Sequence, residues 1–566
     1  MKFHHTNIFF LAVLSLIFSA CATVVPPAGG PVDTTPPVPL SFIPNNKTTN
    51  FKAKKIVIKF DEYIELKALN SQMVVSPSMP KEPEVVAQGK KLIINLPDSL
   101  DKDVTYTIFL GNAVVNFKEG LPLQHFQYVL STGSTMDSLM ILGTVKNAFN
   151  LKTEEGLIVM LYKNTADSTP LLHRPYYISK TYANGEYKLA NISPGKYLMF
   201  VLKDLNSNYI YDQPAEEIAF VDSLVIPAPE KPANDSLNLF NTVKVDFFLF
   251  KELEKRQGIN RKIVLKENKI ELDFKRPTHD LSMELLNIPS ESQWYYPVYS
   301  TEKDTLTVWI TAKVPDTIDV KVTEANVVID TVRFVLKKAE KKPLNISRKN
   351  KNENLTQDSA KTIVKIAVKA NAVGTLDFFR KPTLNFNTPI KTFSSEKIQL
   401  FKLKDSIFQR IPTNLSFSDE NSKMNLEFNV NLEESTTYKI FIKDSVFFDV
   451  FNNTNDTVDI KFTTTKKRNY GSLKLTVKNQ DSIPMIVQLM NEKDVVLYQN
   501  VLIDSVLNYP YLLPGTYKMK AIRDKNGNGK WDTGNYLQRI LPERVYFLGT
   551  SINIRPNWDV EQKWEL

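Results

Sequence analysis

Two segments of this 566-residue chain carry aspartate and asparagine at a spacing that suits a calcium ion. In both segments oxygen-bearing side chains occupy positions 1, 3, 5 and 9 of a calcium-loop pattern, in which position 7 supplies a backbone carbonyl. The predicted ligands are Asp204, Asn206, Asn208 and Asp212 in the first segment and Asp524, Asn526, Asn528 and Asp532 in the second. The bidentate glutamate expected at position 12 is replaced by Ala215 and Asn535, although Glu216 and Glu217 stand near the first segment. Calcium is the one cofactor that the sequence suggests, and the alternative is a turn whose Asp and Asn side chains bond their own backbone.

A second pattern is an aspartate followed by serine or threonine and then by Ala, Ile, Leu, Met, Thr or Val. It occurs at fifteen of the 32 aspartates, where average composition would give about two. The pattern resembles the O-glycosylation sequon of Bacteroidota, which implies a sugar on the hydroxyl. The candidate acceptors are fourteen of these hydroxyls, Ser168 being left aside: Thr34, Ser99, Ser138, Ser223, Ser236, Thr305, Thr317, Thr331, Ser359, Ser406, Ser445, Thr457, Ser482 and Ser505. The alternative is that this order of residues simply suits a turn that leads into a strand.

Groups suited to catalysis are sparse. Beyond residue 21 the chain has three histidines, His125, His173 and His279, each in a different strand-like context. The sequence contains no Gly-x-Ser-x-Gly, no His-Glu-x-x-His and no phosphate loop. Asp61 and Glu62 are adjacent carboxylates, but neighbours in a strand point to opposite faces and cannot act on one substrate together. The sequence therefore predicts a protein that is not an enzyme and has no catalytic residues.

The N-terminus predicts where the chain is delivered. Residues 1–20 have a short positive start, an apolar run and small residues before Cys21, which are the parts of a secretory signal. Residues 18–21 (Phe-Ser-Ala-Cys) resemble the bacterial lipobox, which implies lipidation of Cys21. Two or three acyl chains anchor a protein stably, and Ala22 implies the outer membrane by resemblance to enterobacterial sorting. The alternative is a plain signal peptide with an incidental cysteine, and the choice between the periplasmic and the surface face stays open.

The composition of the chain favours strands. Phenylalanine and tyrosine number 33 and 22 while glycine numbers only 18, and aromatic and β-branched residues fit strands better than helices. No later run is long and apolar enough for a transmembrane helix. The 71 basic and 62 acidic residues are interspersed, so the net charge of +9 predicts no nucleic-acid partner. The sequence therefore predicts an all-β protein of tandem β-sandwich domains behind a lipoprotein signal peptide.

Self-comparison of the chain gives a first repeat. In each copy a tyrosine, Tyr106 or Tyr438, precedes a closing threonine, Thr132 or Thr464, by 26 residues, and the apolar positions between them alternate as in half-buried strands. About seven short strands in roughly 100 residues are typical of a β-sandwich. Residues 38–134 resemble the SbsA-type bacterial Ig-like domain, and residues 362–466 resemble the same family less closely.

The second repeat contains the two calcium-loop segments. In each copy a Pro-Gly turn begins ten residues before the first aspartate, and the last aspartate follows eight residues later. Residues 138–250 and 468–566 resemble the prealbumin-like sandwiches called carboxypeptidase-regulatory-like or Cna-B-like domains. In the first copy Asn184-Gly185 predicts a type I′ hairpin turn, which the second copy lacks.

The remaining segments complete the layout. Residues 21–37 predict an extended proline-rich tether, residues 251–345 predict a degenerate Ig-like domain, and residues 346–361 predict a polar linker. The whole chain resembles the Ig-like-domain lipoproteins of Bacteroidota. This resemblance implies a non-catalytic outer-membrane lipoprotein that acts as a scaffold, spacer or binding module, with the membrane and an envelope protein or glycan as partners. The alternative is an envelope hydrolase or carbohydrate-processing protein with a site between domains.

Overall fold

The computed structural model describes residues 33–79, 81–229, 243–287, 293–336, 364–479 and 483–566. The predicted signal peptide, Cys21, most of the tether and the predicted linker 346–361 lie outside these residues. The described chain is nearly all strand, arranged as tandem β-sandwiches, so the predicted fold class is confirmed. Its contacts divide it into two compact units: unit 1 runs up to Lys146 and resumes over Lys152–Leu249, and unit 2 comprises Asn147–Leu151 and Phe250–Leu566. Within the described ranges, no helix combines the length and the apolar character that crossing a membrane requires.

The first sandwich of unit 1 is formed by short strands and one helical turn. These are β1 (Pro39–Ile43), β2 (Lys55–Phe60), β3 (Ile64–Leu66), α1 (Leu69–Gln72), β4 (Val74–Ser76), β5 (Glu84–Gln88), β6 (Lys91–Asn95), β7 (Thr105–Gly111), β8 (Val114–Asn116) and β9 (Phe126–Ser131). They form the sheets β1-β2-β6-β5, β4-β7-β9 and β3-β8. In β2, Ile56, Ile58 and Phe60 are buried because alternate side chains of a strand point to the same face.

The second sandwich of unit 1 follows directly. Its elements are β10 (Leu139–Asn147), β11 (Ile158–Tyr162), α2 (Thr169–Leu172), β12 (Tyr177–Lys180), β13 (Glu186–Ile192), β14 (Leu198–Lys203), β15 (Glu217–Phe220), β16 (Ala228–Pro229) and β17 (Phe247–Lys251). The hydrogen-bonded order is β12-β11-β14-β15-β17-β10-β13, and β16 pairs with β10. Every residue of β11 is buried, as expected for a central strand covered on both faces.

The predicted type I′ turn at Asn184-Gly185 is wrong. The Gly185 N–H donates to the Tyr182 carbonyl (2.8 Å), so Ala183 and Asn184 are the central residues of the turn. Only Gly185 has a positive φ, of 78°. A type I′ turn needs two central residues with positive φ, whereas a three-residue loop places one left-handed residue after an ordinary turn. The sequence correctly placed Gly185 in the hairpin. Gly185 follows the two central residues of the turn, however, and is not one of them.

Unit 2 opens with a sandwich over the predicted degenerate Ig-like region. Its strands are β18 (Ile259–Lys266), β19 (Lys269–Phe274), β20 (Leu281–Leu285), β21 (Tyr295–Tyr299), β22 (Thr305–Ile310), β23 (Thr317–Glu324) and β24 (Val327–Val335). They form two sheets, β18-β19-β22-β21 and β20-β23-β24. Trp294 is buried between them, and its indole N–H donates to the Met283 carbonyl (3.2 Å).

The next sandwich of unit 2 is built from many short strands. These are β25 (Lys365–Ile366), β26 (Val368–Ala370), β27 (Gly374–Leu376), β28 (Thr383–Phe386), β29 (Ile390–Phe393), β30 (Ile398–Lys404), β31 (Ile407–Ile411), β32 (Asn414–Phe417), β33 (Asn425–Asn429), β34 (Thr437–Ile442), β35 (Phe447–Asp449), β36 (Thr454–Asn455) and β37 (Val458–Thr464). The sheets are β25-β36-β35-β29, β26-β28-β33-β32 and β27-β37-β34-β30-β31. Single 3₁₀ turns occupy Ser395–Lys397 and Lys467–Asn469.

The C-terminal sandwich of unit 2 contains the second calcium-loop segment. Its strands are β38 (Gly471–Lys478), β39 (Met485–Asn491), β40 (Val496–Leu502), β41 (Val506–Leu512), β42 (Gly515–Arg523), β43 (Val545–Phe547), β44 (Ile552–Ile554) and β45 (Asp559–Glu565). One sheet has the order β41-β38-β45, and the other has the order β40-β39-β42-β43, with β44 also paired to β42. The core between the sheets is closed by side chains such as Leu475, Val487, Met519 and Trp564.

The two tyrosines of the first repeat occupy equivalent positions and form equivalent hydrogen bonds in their two sandwiches. The Tyr106 hydroxyl accepts a hydrogen bond from the N–H of Asp101 (3.1 Å), and the Tyr438 hydroxyl accepts one from the N–H of Glu433 (2.9 Å). In each copy the closing threonine donates to the carbonyl of that same residue, at 2.7 and 2.5 Å. Burial raises the pKa of Tyr106 to about 12, so the hydroxyl keeps its proton. The sequence repeat is therefore also a structural repeat.

Candidate functional site

The two predicted calcium loops begin where an inner strand ends. The first loop (204–212) follows β14 and the second loop (524–532) follows β42, and both strands pair with neighbours on either side. In the first loop the Asp204 carboxylate accepts hydrogen bonds from the N–H groups of Asn206 (3.2 Å), Ser207 (2.7 Å) and Tyr209 (2.8 Å). The aspartate at position 1 therefore holds the following turn by bonding its backbone.

The second loop repeats this arrangement. Asp524, which is 1% exposed, accepts from the N–H groups of Gly527 (2.8 Å), Asn528 (3.1 Å) and Gly529 (2.8 Å). Asn526 accepts from the N–H of Asn528 at 3.1 Å, as Asn206 does from that of Asn208 in the first loop. The loops share their backbone conformation as well as their composition.

The last aspartate closes each loop through asparagine side chains. Asp212 accepts from the amide nitrogens of Asn206 (3.1 Å) and Asn208 (2.7 Å). Asp532 accepts from the equivalent asparagines of the second loop at 2.6 and 2.7 Å. The structure thus brings together all four predicted ligands of each loop.

A buried glutamate completes each loop, and the spacing of the calcium pattern did not predict it. Glu216 is fully buried and accepts from the N–H groups of Leu205 (3.2 Å) and Asp212 (3.3 Å). Glu543 is 5% exposed and accepts from the N–H groups of Lys525 (2.7 Å) and Asp532 (3.1 Å). These glutamates lie 12 and 19 residues beyond their first aspartates, so no common spacing could identify both. Each loop therefore has three carboxylates rather than two.

The oxygen atoms of these loops face backbone and side-chain donors. Within the described residues, no three His, Cys, Asp or Glu side chains form a group able to hold a metal ion. At position 12, Ala215 is exposed and has no ligand atom in its side chain, and Asn535 forms a backbone bridge with Ile540. The donor set of carboxylates and amide oxygens is nevertheless the kind that calcium takes. The geometry is that of a closed Asp/Asn turn, and calcium binding stays a prediction.

Most predicted glycan acceptors of the described chain are accessible. Ser236, Ser359 and Ser482 lie outside the described residues. The exposed acceptors are Thr34, Ser99, Ser138, Ser223, Thr331, Ser406, Ser445, Thr457 and Ser505, whereas Thr305 and Thr317 are half-buried. Several also stand in turns: Asp405 and Ser406 both have positive φ between β30 and β31. Accessibility suits glycosylation and the turn geometry suits the alternative, so both interpretations stay open.

The histidines lie apart from one another. The His125 ring packs edge-on against Tyr182, with 4.2 Å between the ring centroids. The backbone N–H of His173 donates to the Thr169 carbonyl, and that of His279 to the Glu324 carboxylate. In the described part of the chain, none of these rings forms a hydrogen bond with a hydroxyl or carboxylate.

Unit 2 contains an open cleft that the sequence did not predict. Its volume is about 1000 Å³, and it lies between the β18–β24 and β25–β37 sandwiches. The Tyr296 hydroxyl donates to the Asn421 carbonyl (2.7 Å) across it. His279, Asp280 and Glu420 also line the cleft, and their side chains are exposed. The cleft offers aromatic and polar surface, which is the mixture that ligand sites combine.

One part of the chain matches a known family. Residues 33–131 match the family model described as "Bacterial Ig-like domain". This range covers the sandwich of β1–β9. The Ig-like character predicted for this domain is therefore confirmed, while its SbsA type and the lipoprotein family stay predictions. No curated protein matches the chain.

Solved structures of other multidomain proteins align with much of the chain. The major pilin subunit BcpA of Bacillus cereus is 11% identical over 76% of this chain and 99% of its own, with a TM-score of 0.13. The S-layer protein rSbsC(31-844) is 12% identical over 91% of this chain and 67% of its own, with a TM-score of 0.14. The I9–I11 tandem of titin is 6% identical over 76% of this chain and 99% of its own, with a TM-score of 0.11. TM-scores of this size carry no information on the arrangement or role of the domains.

Proposed function

We propose that this protein is a non-catalytic lipoprotein of the outer membrane that serves as a multidomain scaffold or spacer in the cell envelope. The observation that carries the proposal is the direct bonding of successive sandwiches inside unit 1. The N–H of Ile178 on β12 donates to the Ser76 hydroxyl on β4 (3.0 Å), and the Asn191 amide donates to the Thr107 hydroxyl (2.8 Å). Bonds between domains restrict their relative rotation, which is what a spacer needs and a flexible array lacks.

Aromatic contacts support the same role in unit 2. Phe378 and Phe379 of one sandwich pack on Tyr511 of the C-terminal sandwich, with centroid distances of 4.8 and 5.2 Å. Tyr470, at the start of the C-terminal sandwich, contacts the same two phenylalanines at 6.0 and 5.1 Å. Aromatic pairs of this geometry contribute about 0.5–1.5 kcal/mol each beyond the area that they bury. Such contacts favour a fixed junction between these two sandwiches.

The junction in unit 1 can be tested by measuring a distance distribution. Spin labels placed on the two sandwiches of unit 1 should give a narrow distribution, which Ser76→Ala combined with Asn191→Ala should broaden. Ser223→Ala, at an exposed hydroxyl of the same unit, is the matched control and should leave the distribution narrow. A broad distribution in the unmodified protein would contradict a spacer.

The anchor rests on Cys21 and is tested separately. Cys21→Ala should leave the protein without palmitate label and recoverable from a soluble periplasmic or secreted fraction. Phe18→Leu, which brings the segment closer to the lipobox, should keep the label and the membrane fraction. Equal membrane partitioning of all three proteins, with no label in the unmodified chain, would contradict lipid anchoring.

Glycan binding is a second candidate function, and the cleft of unit 2 favours it. Burial raises the pKa of the Tyr296 hydroxyl, and Asp419 and Glu420 add to that effect. A protonated tyrosine beside exposed carboxylates can stack on a sugar ring and bond its hydroxyls. Asp280→Ala and Glu420→Ala should each weaken binding of a neutral oligosaccharide, while Glu302→Ala, outside the cleft lining, should not. Turnover of that oligosaccharide would instead support the hydrolase alternative.

Calcium and O-linked sugar are proposed as accessories of the scaffold. Two aspartates and two asparagines at calcium-loop spacing in each loop support a weak calcium site, and nine exposed acceptors support glycosylation at several positions. Intact-mass measurement on protein from its native host would test the sugar. Ser406→Ala should remove one glycan mass, and Ser416→Ala, at a serine outside the pattern, should remove none.

A further inference from the structure

One sheet face of the first sandwich is turned away from the second sandwich of unit 1. The two main sheets of the first sandwich enclose one core, to which Ile58 on β2 and Ile108 on β7 both belong. The sheet β4-β7-β9 bonds to the second sandwich through Ser76 and Thr107. The outer face of the sheet β1-β2-β6-β5 therefore lies on the opposite side of the first sandwich.

A row of apolar side chains crosses this outer face. Directly opposed residues on the four strands, which share one face of the sheet, are Ile43, Val57, Ile93 and Val86 in that order. Ile43 is 66% exposed and Val86 is 41% exposed, while the two central residues are half-buried. The outward positions of an antiparallel sheet are commonly polar. An apolar row at such positions therefore indicates contact with something other than water.

Two lysines lie beside the apolar row. Lys59 follows Val57 by two positions on β2, so it lies on the same outer face. It is directly opposite Lys91 on β6. Like charges directly opposite one another destabilise a sheet. An anion placed between the two ammonium groups would remove this repulsion.

The other side of the apolar row is also positive on balance. Lys55 on β2 is opposite Asn95 on β6, which is opposite Glu84 on β5. The Glu84 carboxylate accepts a hydrogen bond from the Asn95 amide (3.2 Å). Within the described chain, no carboxylate forms an ion pair with any of the three lysines of this face. The face therefore combines exposed apolar groups with lysines whose charges are not neutralised.

We propose that the outer face of the sheet β1-β2-β6-β5 lies against the surface of an anionic phospholipid membrane. This orientation rests on the proposed lipid anchor at Cys21, which would enter the same membrane. Apolar side chains can enter the boundary between headgroups and acyl chains, and lysines are attracted to anionic headgroups. Lys59 and Lys91 would share a lipid phosphate. The scaffold would then extend from the membrane with the second sandwich on the far side of the first.

The position of this face in the chain favours a membrane over other anionic partners. β1 is the edge strand of the sheet, and it begins at Pro39, 18 residues after Cys21. Because extended chain spans at most 3.3–3.6 Å per residue, β1 would begin within about 60 Å of the anchored lipid. A tethered face meets its target at a high effective concentration. A free acidic protein or polysaccharide lacks that advantage.

Vesicle sedimentation of unlipidated protein tests the charges. The whole mature chain with Cys21→Ala should bind mixed phosphatidylglycerol and phosphatidylcholine vesicles at low salt, and phosphatidylcholine vesicles much more weakly. Lys59→Gln combined with Lys91→Gln should weaken binding about thirtyfold, because each lysine near an anionic surface contributes about fivefold. The matched control is Lys146→Gln combined with Lys196→Gln, at exposed positions of the second sandwich, and should change binding little.

A single fluorescent label tests which face meets the lipid. Cys21→Ala removes the only cysteine of the chain, so an environment-sensitive label on Val86→Cys reports that position alone. Its emission should shift to the blue on the anionic vesicles, whereas the same label on Leu172→Cys, at an exposed position of the second sandwich, should not shift. Ile43→Ser should weaken vesicle binding several-fold, and Leu172→Ser should not. Unchanged melting by circular dichroism shows that each variant is folded.

Three results would overturn the proposed orientation. They are no binding to anionic vesicles at low salt, equal binding by the two pairs of lysine variants, and an equal blue shift at both labels. Capture of an acidic protein or polysaccharide by a chain that does not bind the vesicles would also overturn it. The test proteins carry no acyl chain, so these outcomes do not depend on the anchor. Absence of palmitate label contradicts the anchor, whereas absence of vesicle binding contradicts the membrane face.

Discussion

The two Asp/Asn loops have one backbone but reach it with different residues. Positions 4 and 6 are left-handed in both: Ser207 and Tyr209 have φ of 61° and 62°, and Gly527 and Gly529 have φ of 71° and 75°. Left-handed backbone suits glycine and costs other residues roughly 1–2 kcal/mol. The first loop keeps the conformation without glycine, so its side-chain bonds must offset that cost.

The difference shows which bonds maintain the loop. Asp204 and Asp524 each bond three N–H groups, but Asp204 is half-buried whereas Asp524 is buried. A hydrogen bond to a buried carboxylate is screened less by water and costs more to lose. The second loop therefore combines a permissive backbone with stronger capping, and the first relies on capping alone.

Removal of the capping carboxylate should have the largest effect. Asp524→Ala leaves the N–H groups of Gly527 and Gly529 without an acceptor, while that of Asn528 keeps Asn526. It should destabilise the loop by about 3 kcal/mol, whereas Asp204→Ala should cost about 1 kcal/mol. Hydrogen exchange of the loop amides in full-length Cys21→Ala protein measures both. Lys525→Ala, at an exposed position, is the control and should change little. An equal loss of stability in the two loops would show that burial of the first aspartate is unimportant.

Calcium should have the next largest effect, and the effect should differ between the two loops. If calcium reaches a hundredfold excess over Kd, it stabilises the site by about 2.7 kcal/mol. We expect millimolar calcium to slow exchange in the second loop more than in the first, because Gly529 supports the turn. Asp524→Ala combined with Asp532→Ala should remove the response. Identical exchange in calcium and in chelator would leave the self-bonded turn as the complete explanation.

Substituting the residue at position 4 of each loop should have a smaller effect. Gly527→Ser should destabilise the second loop and Ser207→Gly should stabilise the first, each by about 1 kcal/mol, because the two positions share one left-handed backbone conformation. A side chain at Gly527 would meet no atom within 4 Å, so the cost would come from the backbone alone. Hydrogen exchange of the loop amides measures both changes. A neutral Gly527→Ser would mean that this loop tolerates side chains as the first one does.

The pH dependence should be the smallest effect. Burial raises the pKa of the Glu543 carboxyl above 4.5, although bonds from Lys525 and Asp532 oppose that rise. The folded state then holds its proton more tightly than the unfolded chain, so stability falls as pH rises from about 4.5 through the folded-state pKa. Glu543→Gln should remove this slope from loop exchange, after correction for intrinsic rates. If the pH dependence of loop stability persists in Glu543→Gln, another group causes it.

Strands and repeats could be predicted because they depend on near neighbours in sequence. The alternation in β2 and the equal spacing of the two tyrosine-threonine pairs both reappear as structure. The hairpin at Gly185 was placed correctly, but its turn type was not, because Asn184-Gly185 fits more than one loop length. The sequence did not point to Glu543 because no common spacing identifies the two glutamates. Glu543 lies 19 residues beyond Asp524, whereas Glu216 lies 12 residues beyond Asp204.

The all-β class, the two repeats and the four polar positions of each loop could be read from the order of residues along the chain. These follow from the period of two in a strand and from bonds between residues at most nine positions apart. The buried glutamate that completes each loop, the position of the cleft in unit 2 and the strands that form the sheet edges became clear only in the folded chain. Those features depend on which distant segments become neighbours, and long-range packing, not local pattern, fixes that.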